Sequence, residues 1–210
     1  MSALASLRPF PVRVLVVCTG NICRSPMTEA LLAERFAAEG ILATVMSAGI
    51  LYDGRPASDG AVAAMAARGL DVANHSSRTL DRPMIAAADL VIAMEPRHVR
   101  EVVALFDEAW SKTFTLRELA RRVEAQPPRE QTEAFAEYLG RVGAGRRRVD
   151  LLGDDDALSV LDPYRQSQAV YDATATDLAA ELGQIVSRAW PQAPQADLWE
   201  TNLRFRGAEI

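Results

Sequence analysis

The chain has 210 residues, 49% hydrophobic and 24% charged, the balance of an ordinary globular protein able to bury a substantial core. Its net charge of −5 gives nucleic acid and anionic membranes no electrostatic reason to bind it, and no stretch approaches the ~20 apolar residues of a membrane span. Two cysteines, Cys18 and Cys23, make no disulfide framework, and with His75 and His98 alone in unrelated contexts they make no metal site. MSALASLRPFP lacks the apolar core of a signal peptide, so the expectation is a cytoplasmic protein without metal or cofactor.

Val14 to Pro26, VLVVCTGNICRSP, starts as a buried strand and ends as a helix start. A loop leaving a strand and entering a helix N-terminus turns backbone N–H groups inward, and the helix dipole adds positive potential, so an anion with several oxygens fits there. The loop residues Thr19, Gly20, Asn21, Ile22, Cys23 and Ser25 are therefore candidates for substrate binding. Such a setting favours Cys18 as a thiolate nucleophile, and Arg24 offers a planar fork of donors for two oxygens of a phosphoryl group. Gly20 and Asn21 are the types most tolerant of positive φ. Ser25 is expected as N-cap, with Pro26 at the first helical position, and its hydroxyl lies within reach of Cys18.

Residues 26–39 carry apolar positions at helical spacing and stop before Gly40. Ile41 to Ser47 reads as a strand with Ser47-Ala-Gly as its exit, and the resulting βαβ unit implies a parallel sheet. After a turn-rich segment containing Leu51 and Tyr52, an alanine-rich helix is expected over about 58–68. Leu51 and Tyr52 either wall the entrance to the loop or merely cover the sheet edge. Residues 88–96 read as a further buried strand, followed by a helix from Pro96 to Leu105 on which His98, with Arg97 and Arg100, is expected on a solvated face. Residues 114–123 are expected helical, with Thr115 and Glu118 as a capping box.

From about 124 to 156 the composition shifts to a proline pair, one modest amphipathic helix, a basic run and an acidic run. It reads as a solvent-exposed elaboration, or as a segment whose Arg146, Arg147 and Arg148 select an acidic substrate or partner. Leu161-Asp162-Pro163-Tyr164 places Asp162 in a conformation biased away from helix. Residues 168–189 form a closing helix with Ala169, Leu178, Leu182, Ile185 and Val186 as core candidates, and the tail 191–210 packs back on the domain or onto a partner.

CTGNICRSP and the later Asp-Pro resemble the two motifs of the low-molecular-weight protein tyrosine phosphatases, over roughly 12–115 and 157–190. The resemblance implies a three-layer α/β/α domain around an about four-stranded parallel sheet, occupying residues 1–190 with 124–156 as an insertion. It implies phosphomonoester hydrolysis through a cysteinyl-phosphate, with Cys18 as nucleophile, Arg24 on the phosphate and Asp162 as general acid. A phosphotyrosyl protein would be the substrate, with Tyr52 and Tyr164 beside its ring. Asn21, Ser25, Ser47 and His75 match a family network that fixes the phosphate cradle, and Cys23 either packs beneath the loop or pairs reversibly with Cys18. Arg165 departs from the Gly or aromatic residue common there. Arsenate reduction with a small external thiol and a non-catalytic phosphotyrosine-binding module remain open, as do the oligomeric state and the physiological substrate.

Overall fold

The computed structural model describes residues 11–153 and 155–191. The valine-rich run β1 (Val12–Cys18) is buried on both faces from Val14 onward, as a central parallel strand must be. The helix α1 (Arg24–Ala38) follows, burying Met27, Leu31, Leu32 and Phe36 and stopping before Gly40, whose φ of 66° ends the helix. Next come β2 (Ala43–Gly49), α2 (Asp59–Ala66), α3 (Arg82–Ala87), β3 (Leu90–Ala93) and α4 (Pro96–Leu105). The chain continues through β4 (Thr113–Thr115), α5 (Leu116–Glu124), α6 (Phe135–Val142) and α7 (Gln168–Ala189).

The four strands are parallel in the order β2-β1-β3-β4. Alternation along β1 divides the core: Val14 and Val16 join Met27, Leu32, Leu178 and Val186 on one face, while Leu15 and Val17 join Ile85, Val91 and Val102 on the other. This is the expected three-layer α/β/α architecture. Strand order reverses between β1 and β3, so the crevice beyond their C-terminal ends is the place where such a sheet opens to a ligand. Cys18 is the last residue of β1, at that crevice.

Several local expectations are corrected. Strand β2 begins at Ala43 and includes Ser47-Ala48-Gly49, because pairing with β1 continues through Cys18↔Gly49; the segment is strand, not exit. A short strand, β4, precedes α5; Thr115 ends it and caps the helix, accepting from the Glu118 N–H at 3.1 Å. Ala169 is exposed, at the first turn of α7. Trp190 packs on Phe36 and Phe135, with ring centroids 4.9 Å from each. Residues 1–10 and the tail from Gln192, Trp199 included, lie outside the described residues.

The reading of 124–156 as solvent-exposed or substrate-selecting fails where α6 and Arg146 are concerned. Tyr138, Leu139 and Val142 of α6 are buried in the main core together with Leu119, Ala120 and Val123 of α5. Arg146 has 3% side-chain exposure and binds Glu118 through Nε at 2.7 Å and through Nη2 at 3.1 Å. It also donates to the Trp110 and Thr113 carbonyls and lies within 4.1 Å of the Trp110 and Phe114 ring centroids. Arg147 pairs with Asp150, and Arg148 with Asp107. Glu118 has a second partner, Arg122 Nε at 3.0 Å, so truncating Arg146 leaves the carboxylate one of its two cations and costs about 1.5–3 kcal/mol, the range for hydrogen bonds to a charged group. Arg146→Ala should therefore lower stability in urea unfolding by about that amount; a loss below about 1 kcal/mol, the value of an exposed pair, would show that Arg146 is a surface charge.

Candidate active site

Peptide planes decide the character of the loop after β1. The Thr19 carbonyl accepts from the Ile50 N–H at 2.8 Å, the Asn21 carbonyl from His75 Nε2 at 2.7 Å, and the Ile22 carbonyl from the Ser58 N–H at 2.8 Å. A carbonyl can only accept, so His75 carries its proton on Nε2. Across a trans peptide the next N–H points the opposite way, and no peptide among the described residues is cis. The N–H groups of Gly20, Ile22 and Cys23 are thereby turned to the inside of the loop. Asn21 reverses the chain at a φ of 52° and aims its own N–H at Cys18 Sγ, 3.2 Å away. Gly49 admits this turn: a Cβ there would lie 2.8 Å from the Asn21 nitrogen.

Proton directions follow from the fully buried Asn21 side chain. Its Oδ1 accepts from the Arg78 N–H at 3.0 Å, so its Nδ2 faces and donates to Ser25 Oγ at 2.9 Å and Ser47 Oγ at 2.7 Å. Ser47 passes its own proton to Glu29 Oε2 at 2.5 Å. Ser25 Oγ, which accepts from Asn21, also lies 2.9 Å from Cys18 Sγ, and its proton goes to the sulfur when that sulfur is a thiolate, which can only accept. Two polar groups thus touch the sulfur from the loop, the Asn21 N–H as donor and the Ser25 hydroxyl.

Arg24 opens α1 with 2% exposure, and its guanidinium is shared between two carboxylates. Nη1 donates to Glu95 and to the Val160 carbonyl at 3.1 Å, while Nη2 donates to Asp162 Oδ2 at 2.7 Å. Glu95 stands just before α4 and also pairs with Arg97 Nε at 2.8 Å. Burial works to raise its carboxyl, but the Arg24 hydrogen bond and charge, with Arg97, outweigh burial and hold it below the usual range. His98, one turn into α4, sits against the loop with Nε2 3.0 Å from Thr19 Oγ1, and Thr19 also accepts from Arg97. Burial, with the neighbouring guanidiniums of Arg24, Arg97 and Arg100 and against the opposing pull of Glu95, takes its pKa down to about 3. His98 is therefore a neutral, fully buried residue, not part of a solvated face.

Above the sulfur lies a cavity of about 90 Å³ lined by Cys18, Thr19, Gly20, Ile22, Cys23, Arg24, Leu51, Tyr52, Asp162 and Tyr164. A larger cavity of about 780 Å³ opens beside Val12, Phe135 and Leu139 at the far end of β1, away from the strand end that carries Cys18, and neither cysteine lines it. Residues 13–145 match the sequence model of the low molecular weight phosphotyrosine protein phosphatases. The chain belongs to this family. The probable low molecular weight protein-tyrosine-phosphatase EpsP of Ralstonia nicotianae is 38% identical over 133 residues, covering 63% of this chain and 89% of its own length. A protein-arginine-phosphatase of Geobacillus stearothermophilus is 42% identical over 109 residues, covering 51% of this chain and 71% of its own. A low molecular weight protein tyrosine phosphatase structure from T. tengcongensis superposes with a TM-score of 0.64 at 30% identity, covering 84% of this chain and 98% of that one.

The phosphatase loop thus gathers the residues singled out from sequence, ten lining the cavity and Asn21, Ser25, Ser47 and His75 bracing it from behind. Ser25 is no N-cap: α1 starts at Arg24, Cys23 is the capping position, and the Ser25 hydroxyl is turned to sulfur instead. Pro26 is accordingly the third helical residue, where an N–H would still lack a helical partner. Cys23 is a free thiol 3.0 Å from Ser58 Oγ and 3.5 Å from the Tyr171 hydroxyl, and burial pushes its pKa up. Glu29, Glu95, Arg97, His98 and Tyr171 escaped the sequence reading. Glu95 carried a usable signal, since it follows the C-terminal end of β3 as Cys18 ends β1.

His98 makes stability depend on pH. Its folded pKa lies below the ordinary value of 6.5, so between about 6.5 and 3 the unfolded chain takes up a proton that the folded chain refuses. Stability from this group is complete above pH 6.5 and declines as pH falls, by up to about 1.4 kcal/mol per unit. Urea unfolding at stepped pH from neutrality to about 4 should show a shallower decline for His98→Gln than for wild type. Parallel declines would show that His98 titrates in the folded protein.

Proposed function

We propose that this chain hydrolyses phosphotyrosine in proteins by two displacements at phosphorus. The Cys18 thiolate attacks phosphorus, the bond to the tyrosyl oxygen breaks, and that oxygen takes a proton from Asp162. Asp162 then takes a proton from water, the oxygen attacks the phosphocysteine, the S–P bond breaks, and inorganic phosphate leaves. The observation that carries this reading is the set of loop carbonyls tied outward by Ile50, His75 and Ser58, which leaves N–H groups around the Cys18 sulfur. With Arg24 these supply preorganised charge stabilisation for the equatorial oxygens, and the Ser25 hydroxyl eases sulfur's departure in the second step.

The family match ends at residue 145, so the role of Asp162 rests on its position. Its carboxylate lies over the cavity at about half exposure, paired with the arginine that the phosphoryl group requires. A phosphoryl group taking the Arg24 fork displaces Asp162 and frees it to face the leaving oxygen. The walls suit an aryl group, since Ile22, Leu51, Tyr52 and Tyr164 are apolar or aromatic. A cysteine nucleophile that must stay reduced suits a reducing cytoplasm, and no helix among the described residues is long and apolar enough to cross a membrane.

The test is phosphate release, without added metal, from a phosphotyrosyl peptide, a phosphoarginyl peptide and p-nitrophenyl phosphate, beside arsenate reduction with small thiols. Wild type should prefer the phosphotyrosyl peptide, and Cys18→Ser should fall to background. Asp162→Ala should lose about 10²–10⁴-fold on the peptide and much less on p-nitrophenyl phosphate, whose leaving group needs little protonation. Preference for phosphoarginine, or arsenite formation without phosphate release, would overturn the assignment while leaving the loop's nucleophile in place.

A further inference from the structure

Two arginines frame the mouth of the cavity. The Arg55 guanidinium lies 4.2 Å from the Tyr52 ring centroid, and that of Arg165 lies 5.2 Å from the Tyr164 centroid. Both rings line the cavity above Cys18, and both arginines are exposed. Stacking engages the flat face of a guanidinium and leaves its N–H edge free, the edge that binds a carboxylate through two parallel hydrogen bonds. Neither group has a carboxylate partner among the described residues.

The nearby acids are already engaged. Asp53 accepts from the Thr79 N–H at 2.7 Å and the Thr79 hydroxyl at 2.6 Å, and Asp162 accepts from Arg24 and from the Tyr164 N–H at 3.1 Å. Arg165 has a φ of 63°, a value that glycine adopts freely and a side chain adopts at a cost. Among the described residues the one other non-glycine at positive φ is Asn21, in the phosphate loop itself. Backbone strain of this kind collects where a side chain must be aimed.

We propose that Arg55 and Arg165 are specificity-determining residues that select phosphotyrosines flanked by acidic residues, an inference that rests on the phosphotyrosine reading of the site. The phosphotyrosyl side chain fills the cavity between the two rings, so the substrate's neighbouring residues emerge beside the two guanidiniums. Carboxylates there meet two unpaired cations, and lysines there meet repulsion.

The experiment compares kcat/KM on three phosphotyrosyl peptides of equal length, flanked by Asp/Glu, by Ala or by Lys, with p-nitrophenyl phosphate as the reference that reaches neither arginine. The enzymes are wild type, Arg55→Gln, Arg165→Gly and the double variant; glycine at 165 keeps the backbone conformation. Wild type should favour the acidic over the neutral peptide by about three- to tenfold, chiefly through KM, with the lysine peptide lowest. The preference should shrink at high salt. Each single variant should lose part of it and the double variant all of it, with p-nitrophenyl phosphate turnover unchanged. Equal kcat/KM on the three peptides in wild type, or a preference that survives in the double variant, overturns the inference and leaves the phosphatase reading standing. No phosphate release from any phosphotyrosyl peptide overturns both.

Discussion

The site depends on peptide planes before it depends on side chains. Donors drawn from three separate places, the Ile50 and Ser58 N–H groups and the His75 ring, hold loop carbonyls outward. Left to itself, a five-residue turn would hydrate its carbonyls and amides alike and present no net polarity to its centre. Pinning the carbonyls gives the inner surface a fixed positive character without a mobile cation, and nothing has to reorganise when an anion arrives. Gly49 follows from the same requirement. The backbone of β2 must pass so close to Asn21 that no side chain fits between them.

Arg24 adds full charge to this partial charge, and burying it creates a cost that the surrounding carboxylates offset. Glu95, half-buried and held ionised by Arg24 and Arg97, is the lasting partner. Asp162 is the more exposed and comes from a segment distant in sequence, so in the mechanism we propose it is the partner that substrate exchanges. On that proposal two carboxylates on one guanidinium divide the labour: one keeps Arg24 aimed, and the other answers to the phosphoryl group. His98 completes this side of the loop as a neutral residue. A protonated imidazole among Arg24, Arg97 and Arg100 would add a fourth cation to a place where burial already disfavours charge.

The fold and the loop were legible because each has a local signature. A run of β-branched residues, a turn rich in Gly and Asn, and Arg-Ser-Pro at a helix start are read within thirteen residues, and α7 announces itself by period alone. What escaped was non-local. His98 sits between Arg97 and Arg100 in sequence and looks solvated by its neighbours, yet α4 leans its first turn against the loop, where the imidazole and the Arg97 guanidinium meet the same Thr19 hydroxyl. Arg146 belongs to a basic triplet that reads as a flexible charged face, and only the tertiary placement of Trp110, Phe114 and Glu118 makes one of the three a core residue. Ser25 was legible in part: its reach to Cys18 holds, while the capping role fails because α1 starts one residue earlier, at Arg24.

These misses share a cause with the site's division between chemistry and choice. The machinery around Cys18 lies at the switch between β1 and β3, where buried groups satisfy one another and each is constrained by several partners. Such constraint leaves that machinery little room to tell one phosphotyrosine from another, because everything it touches is phosphate, ring or leaving oxygen. Discrimination must come from groups the reaction does not use, in contact with the parts of a substrate that stay outside. Arg55 and Arg165 meet that condition: each is braced by a ring of the cavity wall, neither is tied to a carboxylate of the chain's described part, and both face the solvent that a bound protein would displace. The positive φ of Arg165 is then the cost of aiming a cation from the loop that also carries Asp162.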